Sequence, residues 1–193
     1  VLLMGEKAKN VSVELPGGVV EDGIIKDGKE FGKALEKLHD MIAPKKKEEA
    51  IKAIVSLPAD LIYTQSFKIP FVKEEKREES ANLNLQMITP IKAEKSFMSW
   101  QEIQETDNEV ELLGAFVEKK NVVQIQEALD KANFYPATFE FPALGLTRLL
   151  NKAQGPQQKS VLIIDISGDG MDFLIIKNGA LYFDYFISWK EVQ

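Results

Sequence analysis

Residues 161–172 read VLIIDISGDGMD, and this stretch combines a strand pattern with residues suited to ligand binding. The apolar run predicts a β-strand that delivers Asp165 near its end, and Ser167-Gly168-Asp169-Gly170 predicts a tight turn. Backbone N–H groups in such a turn can cradle a phosphate, and an aspartate at a strand end can hold a hydrated magnesium ion. The alternative is an ordinary hairpin turn, because turns are rich in Gly and Asp for conformational reasons.

The segments on both sides of this turn extend the pattern. Residues 155–159 (GPQQK) predict a linker, because they interrupt the apolar periodicity. Beyond the turn, two more strands are predicted, separated by Asn178-Gly179, a dipeptide typical of two-residue hairpins. The last part of the chain is therefore expected to contain three consecutive strands.

The rest of the chain alternates helix and strand patterns, which indicates a mixed α/β fold. Residues 19–28 place apolar pairs between turn dipeptides and predict tight local reversals. The predicted helices cover residues 29–42, 73–86, 121–132 and 143–152. The predicted strands cover residues 1–4, 11–15, 50–57, 62–69, 96–103, 110–117, 137–141 and 161–166. Residues 50–57 and 62–69 are expected to pair as a hairpin.

Composition excludes several classes of protein. With 193 residues and 45% hydrophobic content, the chain can build the core of one domain or two small ones. A net charge of −6 argues against nucleic acid as a partner. The absence of cysteine removes disulfides and thiolate nucleophiles and fits a reducing compartment. No apolar run approaches the roughly 18 residues that span a bilayer, so we expect a cytoplasmic protein that reaches a membrane through a partner.

Other conspicuous side chains have structural explanations. His39 is the single histidine, and without cysteine or a second histidine a metal or triad role is disfavoured, so we expect a surface or boundary position. Phe97 and Trp100 are expected in the core, as are the aromatic residues of 134–141. None of these residues predicts catalysis.

Several segments match the motifs of one known family in order and spacing. They are residues 15–25 (LPGGVVEDGII), 53–58 (AIVSLP), 67–70 (FKIP), 132–136 (ANFYP) and 141–146 (FPALGL). Together they resemble the PilM family, the bacterial actin-like proteins of type IV pilus assembly, which are related to the cell-division protein FtsA. Asn133 stands where the family has glycine, a substitution that a left-handed position at a helix end tolerates.

This resemblance implies an α/β fold with an actin-like, ribonuclease-H-like core and an inserted SHS2-like strand–helix–strand subdomain. It implies four segments: residues 1–48 and 136–156 in the first core subdomain, 49–135 in the inserted subdomain, and 157–193 at the start of the second core subdomain. The chain begins with Val1 in a strand-like run and stops abruptly, so we expect it to be a piece of a longer protein.

The resemblance also implies that 165–172 corresponds to the family's second phosphate loop, so the candidate cofactor-binding residues are Asp165, Ser167, Gly168, Asp169 and Gly170. Asp165 matches the family aspartate and would contact magnesium through water. Ser167 replaces a usual glycine, and Met171 replaces a usual threonine. Asp169 adds negative charge beside the phosphate position.

The other two nucleotide-binding elements of the family lie upstream and downstream of this chain. ATP and magnesium are therefore expected only in a longer protein, not on this chain, and no catalytic residue is assigned. We expect weak nucleotide binding or none.

The function that the resemblance implies is that of a scaffold at the inner membrane. It would bind the cytoplasmic tail of a PilN-like membrane protein, through a groove that the inserted subdomain helps to form. The alternatives are an FtsA-like filament protein and an active ATPase of the same superfamily. Self-association remains open, and the sequence does not identify the partner-binding residues.

Overall fold

The computed structural model describes residues 10–43, 49–155 and 159–192. The helices are α1 (Gly28–Ile42), α2 (Glu74–Ile88), α3 (Lys119–Lys131) and α4 (Pro142–Gln154). The strands are β1 (Val20–Glu21), β2 (Ile24–Ile25), β3 (Ile51–Ser56), β4 (Tyr63–Pro70), β5 (Ser96–Glu105), β6 (Glu109–Glu118), β7 (Phe134–Glu140), β8 (Val161–Ile166), β9 (Gly170–Lys177) and β10 (Ala180–Ser188). Short 3-10 helices occur at Ala59–Leu61, Ala93–Lys95 and Trp189–Glu191.

Most predicted elements are confirmed, with ends displaced by a few residues. The four predicted helices correspond to α1 to α4, and the predicted reversals at Asp22-Gly23 and Asn178-Gly179 are hairpin turns in which both residues have positive φ. Asn133 has a φ of 58°, as expected for the end of α3. The strand predicted at 1–4 and part of the linker predicted at 155–159 lie outside the described residues.

Two strand predictions are wrong. Residues 11–15 alternate in polarity but form no strand. The expected hairpin between 50–57 and 62–69 does not form, because β3 pairs in parallel with β7 and β4 pairs antiparallel with β6. Pro58 and the 3-10 helix Ala59–Leu61 lie between β3 and β4 and redirect the chain, so that Leu57 N donates to the Glu140 carbonyl and continues the parallel pairing.

The described residues fall into two compact units, which we describe separately. One unit consists of Val1–Leu57 and Lys120–Glu140, and the other of Pro58–Lys119 and Phe141–Gln193. This division does not test the four predicted domain segments, which remain a prediction.

The first unit contains the parallel pair β3–β7 together with α1 and most of α3. Asp27 caps the N-terminus of α1, because its Oδ1 accepts hydrogen bonds from Lys29 N and Glu30 N at 3.0 Å. The amide of Gln124 on α3 donates to the Ile25 carbonyl at 3.1 Å. The buried apolar side chains of this unit are Val19, Ile25, Leu57, Val122, Ile125, Ala128, Leu129, Ala132 and Phe134.

His39 corrects an expectation within this unit. It was predicted at the surface or a boundary, but its side chain is only 3% exposed. Its Nε2 lies 3.1 Å from the Glu49 carbonyl, and its ring meets that of Phe134 edge-on at 5.4 Å. The ring is buried because both its polar and its apolar atoms find partners there, which sequence alone does not indicate.

The second unit contains a sheet with the strand order β4-β6-β5, crossed by α2. In the chain, β4 is followed by α2 and then by β5 and β6. Leu85 of α2 lies directly over Gly114 of β6, and Arg77 of α2 pairs with Glu102 and Glu105 of β5 at 2.8 and 2.7 Å. One cluster under the helix consists of Ile69, Ala81, Val110 and Leu112.

Two aromatic residues of this sheet differ in burial. Trp100 is partly buried against the cluster under α2, in agreement with the prediction. Phe97 is 45% exposed, so its predicted core position is wrong. Strand alternation places Phe97 on the face of the sheet opposite Trp100 and α2, and Lys119 Nζ lies 5.7 Å from the centre of its ring.

The same unit contains a second sheet, an antiparallel meander with the order β10-β9-β8. Leu174 and Leu181 lie on its inner face, in a cluster with Ile103, Leu113, Phe141 and Ala143. Lys177 Nζ and Glu111 Oε2 form an ion pair at 2.6 Å, and the Thr64 hydroxyl donates to the Asp184 carbonyl at 3.0 Å. In the described ranges, no helix is long and apolar enough to cross a membrane.

Candidate functional site

The predicted phosphate-loop residues lie together at the turn between β8 and β9. Asp165 pairs with Asp172 across the two strands, and Ser167 N donates to the Gly170 carbonyl at 2.9 Å to close the turn. Asp165, Ser167 and the two residues after Ser167 are exposed, whereas Gly170 is buried. The structure therefore brings the five predicted residues together at one end of the meander.

The side chain of Ser167 occupies the inside of this turn. Its Oγ lies 3.3 Å from both Asp169 N and Gly170 N, as a hydrogen-bond acceptor, and 3.2 Å from the Gly170 carbonyl. Within the described part of the chain, the Gly168 amide donates to no partner. Since bound phosphate takes several backbone N–H groups, the turn in this form is a poor match to a phosphate group.

Trp189 holds the outer side of the turn, and no sequence motif predicted its role. Its indole Nε1 donates to the Ser167 carbonyl at 3.0 Å, and its backbone N donates to the Asp169 carbonyl at 3.1 Å. Trp189 begins a 3-10 helix just after β10, so the antiparallel pairing of β9 and β10 returns it to the turn. The sequence contains one indication of this contact. The turn and Trp189 are separated from the Asn178-Gly179 reversal by equal numbers of residues, so a hairpin at this reversal brings them side by side.

Gly170 is required by packing at the start of β9. A Cβ at this position would collide with the Ile187 carbonyl and with the ring of Phe186 on β10. The glycine therefore allows the two strands to approach. Its presence in the sequence does not need an explanation from ligand binding.

A carboxyl pair that sequence reasoning missed lies behind the turn. Asp172 is 5% exposed, and neither its Oδ1 nor that of Asp184 accepts a hydrogen bond from the described residues. Burial, followed by repulsion from Asp172, raises the pKa of Asp184 to about 8. Burial is also the main cause that raises the pKa of Asp172, and Asp165 adds to it. Burial and repulsion from neighbouring carboxylates therefore oppose ionisation of both carboxyl groups, and Asp184 keeps its proton at a pH where an ordinary aspartate has lost it.

The described residues hold no group of three or more His, Asp or Glu side chains placed to bind a metal ion. Asp165 is a single exposed carboxylate at a strand end. Magnesium keeps several waters and needs few protein ligands, so contact through water is chemically reasonable at Asp165. Its predicted role toward magnesium remains a prediction.

Comparison with known proteins reveals similarity of structure only. No protein-family model matches the chain, and no curated protein matches it. A chain of a PilM–PilN type IV pilus biogenesis complex aligns with 92% of this chain at a TM-score of 0.72 and 14% identity. The cytoplasmic domain of EpsL, an inner-membrane component of the type II secretion system of Vibrio cholerae, aligns with 81% at a TM-score of 0.53 and 15% identity.

A third similar structure, from Bacteroides thetaiotaomicron, has an actin-like ATPase fold and a TM-score of 0.36, which is too low to support an inference. The chain spans 53% and 56% of the first two structures. The α/β fold expected from the resemblance to the PilM family is confirmed. At these identities the comparison establishes the fold, while activity and partners remain to be proposed.

Proposed function

We propose that this chain is part of an actin-like scaffold protein of type IV pilus or related secretion assembly. It works in the cytoplasm, reaches the inner membrane through partners, and binds the cytoplasmic tail of a PilN-like membrane protein. The observation that carries this proposal is the similarity over 92% of the chain to a chain of the PilM–PilN complex. The likeness to the EpsL cytoplasmic domain supports the wider assignment to pilus or secretion systems.

The state of the candidate phosphate loop favours binding over catalysis. Ser167 Oγ accepts hydrogen bonds from the amides of Asp169 and Gly170, and the indole of Trp189 donates a hydrogen bond to the Ser167 carbonyl. Asp169 adds negative charge beside the turn. We therefore propose that the protein acts by protein–protein contact and that nucleotide binding through this loop is lost.

A tail-binding experiment tests the proposed function. The protein is passed over an immobilised peptide that carries the cytoplasmic tail of a PilN-like protein from the same organism, with a scrambled tail as the control. We expect retention on the native tail only. If every PilN-like tail fails to retain the protein, the proposed function is wrong.

Two single substitutions would map the surface that the tail uses. Phe97 on β5 and Met87 on α2 are both exposed apolar residues of the second unit, and they lie on different elements. F97A and M87A are matched controls for each other, because each removes exposed apolar surface without opening the core. A loss of tail binding in only one variant would identify the element that contacts the tail.

Calorimetry separates the scaffold from an active ATPase of the same superfamily. We expect no heat of binding when ATP and magnesium are added to the longest form of the protein that folds. Tight binding would contradict the proposed loss of nucleotide binding, but it would leave the tail-binding result unaffected.

A further inference from the structure

We propose that the Ser167 hydroxyl is an intramolecular substitute for a phosphate oxygen, and that it closes the turn between β8 and β9 against phosphate-bearing ligands. This inference rests on the proposed loss of nucleotide binding and names its cause. It concerns the amides of Asp169 and Gly170, which are the donors that an anion in this turn would need.

The hydrogen bonds within the turn show that the Ser167 hydroxyl occupies the position of an anion. One oxygen atom, Ser167 Oγ, lies 3.3 Å from both amides, which is how a single phosphate oxygen sits in a backbone anion site. Glycine at this position would leave both amides unpaired and directed at the same point. An external phosphate must therefore displace a hydroxyl that is held in place by its own chain.

Two hydrogen bonds from Trp189, which lies outside the turn, fix the backbone around the Ser167 hydroxyl. Trp189 donates from its indole to the Ser167 carbonyl at 3.0 Å and from its backbone to the Asp169 carbonyl at 3.1 Å. These two bonds hold the 167–168 and 169–170 peptide groups, which lie before Gly168 and after Asp169, and limit their rotation. Trp189 is thus a positioning residue that keeps the Ser167 hydroxyl within reach of the two amides.

Charge is a competing explanation, because Asp169 would repel a phosphate whatever Ser167 does. The decisive comparison is therefore between D169N and the double variant S167G/D169N. Both lack the carboxylate, and only the second lacks the hydroxyl. The probe is inorganic phosphate, followed by ATP with magnesium, and the readout is the chemical shift of the backbone amides at 168–170.

We expect phosphate to shift these amides in S167G/D169N and to leave them unchanged in the wild-type protein and in D169N. If the single variant D169N binds phosphate, the proposal is overturned, because the charge of Asp169 and not the Ser167 hydroxyl would then exclude the anion. A double variant that stays folded and still ignores phosphate would overturn it as well, because a different barrier would then operate.

Hydrogen exchange provides a test that needs no ligand. In S167A, which keeps the Cβ, we expect the amides at 169 and 170 to exchange about threefold to tenfold faster, because each loses one hydrogen bond. W189F keeps an aromatic ring without the indole donor and should produce a smaller increase at the same amides. Unchanged exchange in S167A would overturn the proposal. Neither experiment depends on the tail-binding result, so the two proposals can fail separately.

Discussion

Asp172 and Asp184 place two carboxyl groups in a poorly solvated part of the β8–β10 meander. Their proximity depends on one irregularity, a bulge between Leu181 and Phe183 that shifts the register of β10 by one residue. Without that shift Asp184 would lie on the opposite face of the sheet from Asp172. The sequence contains both aspartates but no signal for the bulge, so this pair could not be predicted.

The raised pKa of Asp184 predicts a stability that depends on pH. The folded protein keeps a proton that the unfolded chain releases near the ordinary pKa of 3.8, so the stabilisation is complete below that value and is lost as pH rises through about 8. We expect the free energy of unfolding in urea to fall between about pH 4 and pH 8.

The variant D184N isolates this contribution from the other acidic groups, because its amide is neutral at every pH in the window. At pH 8 we expect D184N to be more stable than the wild-type protein by about 1–3 kcal/mol, and this difference to shrink steadily as the pH is lowered toward about 4. Parallel pH profiles for the two proteins would contradict the assignment to Asp184.

His39 leads to a second prediction at this scale. The variant H39A loses the contact with Phe134 and the hydrogen bond to the Glu49 carbonyl, so we expect a loss of about 1–3 kcal/mol in the free energy of unfolding. H39F keeps a ring and should lose less. Urea denaturation at pH 8 measures the stability of both variants. If H39A is as stable as the wild-type protein, the buried contacts of His39 do not stabilise the fold.

At the scale of elements, periodicity located the helices and strands, but it did not select their partners. The apolar runs at 50–57 and 62–69 suit either a hairpin with each other or pairing with distant strands. Neighbouring strands often pair, and a hairpin is therefore the pairing that the sequence predicts. The observed partner of β3 is β7, a distant strand that follows α3 in the chain, and the apolar pattern does not distinguish it from the neighbouring β4.

The packing of α2 on its sheet predicts a strong effect at Gly114. An added Cβ would lie 2.6 Å from Leu85 Cδ2, so G114A must displace the helix or the leucine. We expect a loss of about 1–3 kcal/mol in the free energy of unfolding. The matched control is G32A in α1, where a Cβ meets nothing within 4 Å. It should stabilise the protein by about 0.5–1 kcal/mol, because alanine favours a helix interior over glycine. If G114A were no more destabilising than G32A, the close approach of Leu85 to Gly114 would not restrict the side chain at this position.

At the scale of the whole molecule, the sequence predicted the α/β class and placed five candidate residues in one turn, because motif order and strand–turn chemistry are local properties. It did not predict that the turn is filled by Ser167 or held by Trp189. Those contacts depend on the antiparallel return of β10 and on the direction of one hydroxyl. Such features appear only when distant segments are placed side by side.

The outer face of the β8–β10 meander leads to the last prediction. Its exposed apolar side chains are Leu162, Ile164, Ile166, Phe183 and Tyr185. Contiguous apolar surface of this kind promotes association, so we expect the weight-average mass of the chain in sedimentation equilibrium to rise with concentration. I164K places a charge on this face and should weaken association by at least about tenfold. M87K adds the same charge at the exposed Met87 of α2 and should leave association unchanged. Equal effects of the two lysines would indicate that net charge, and not this face, controls association.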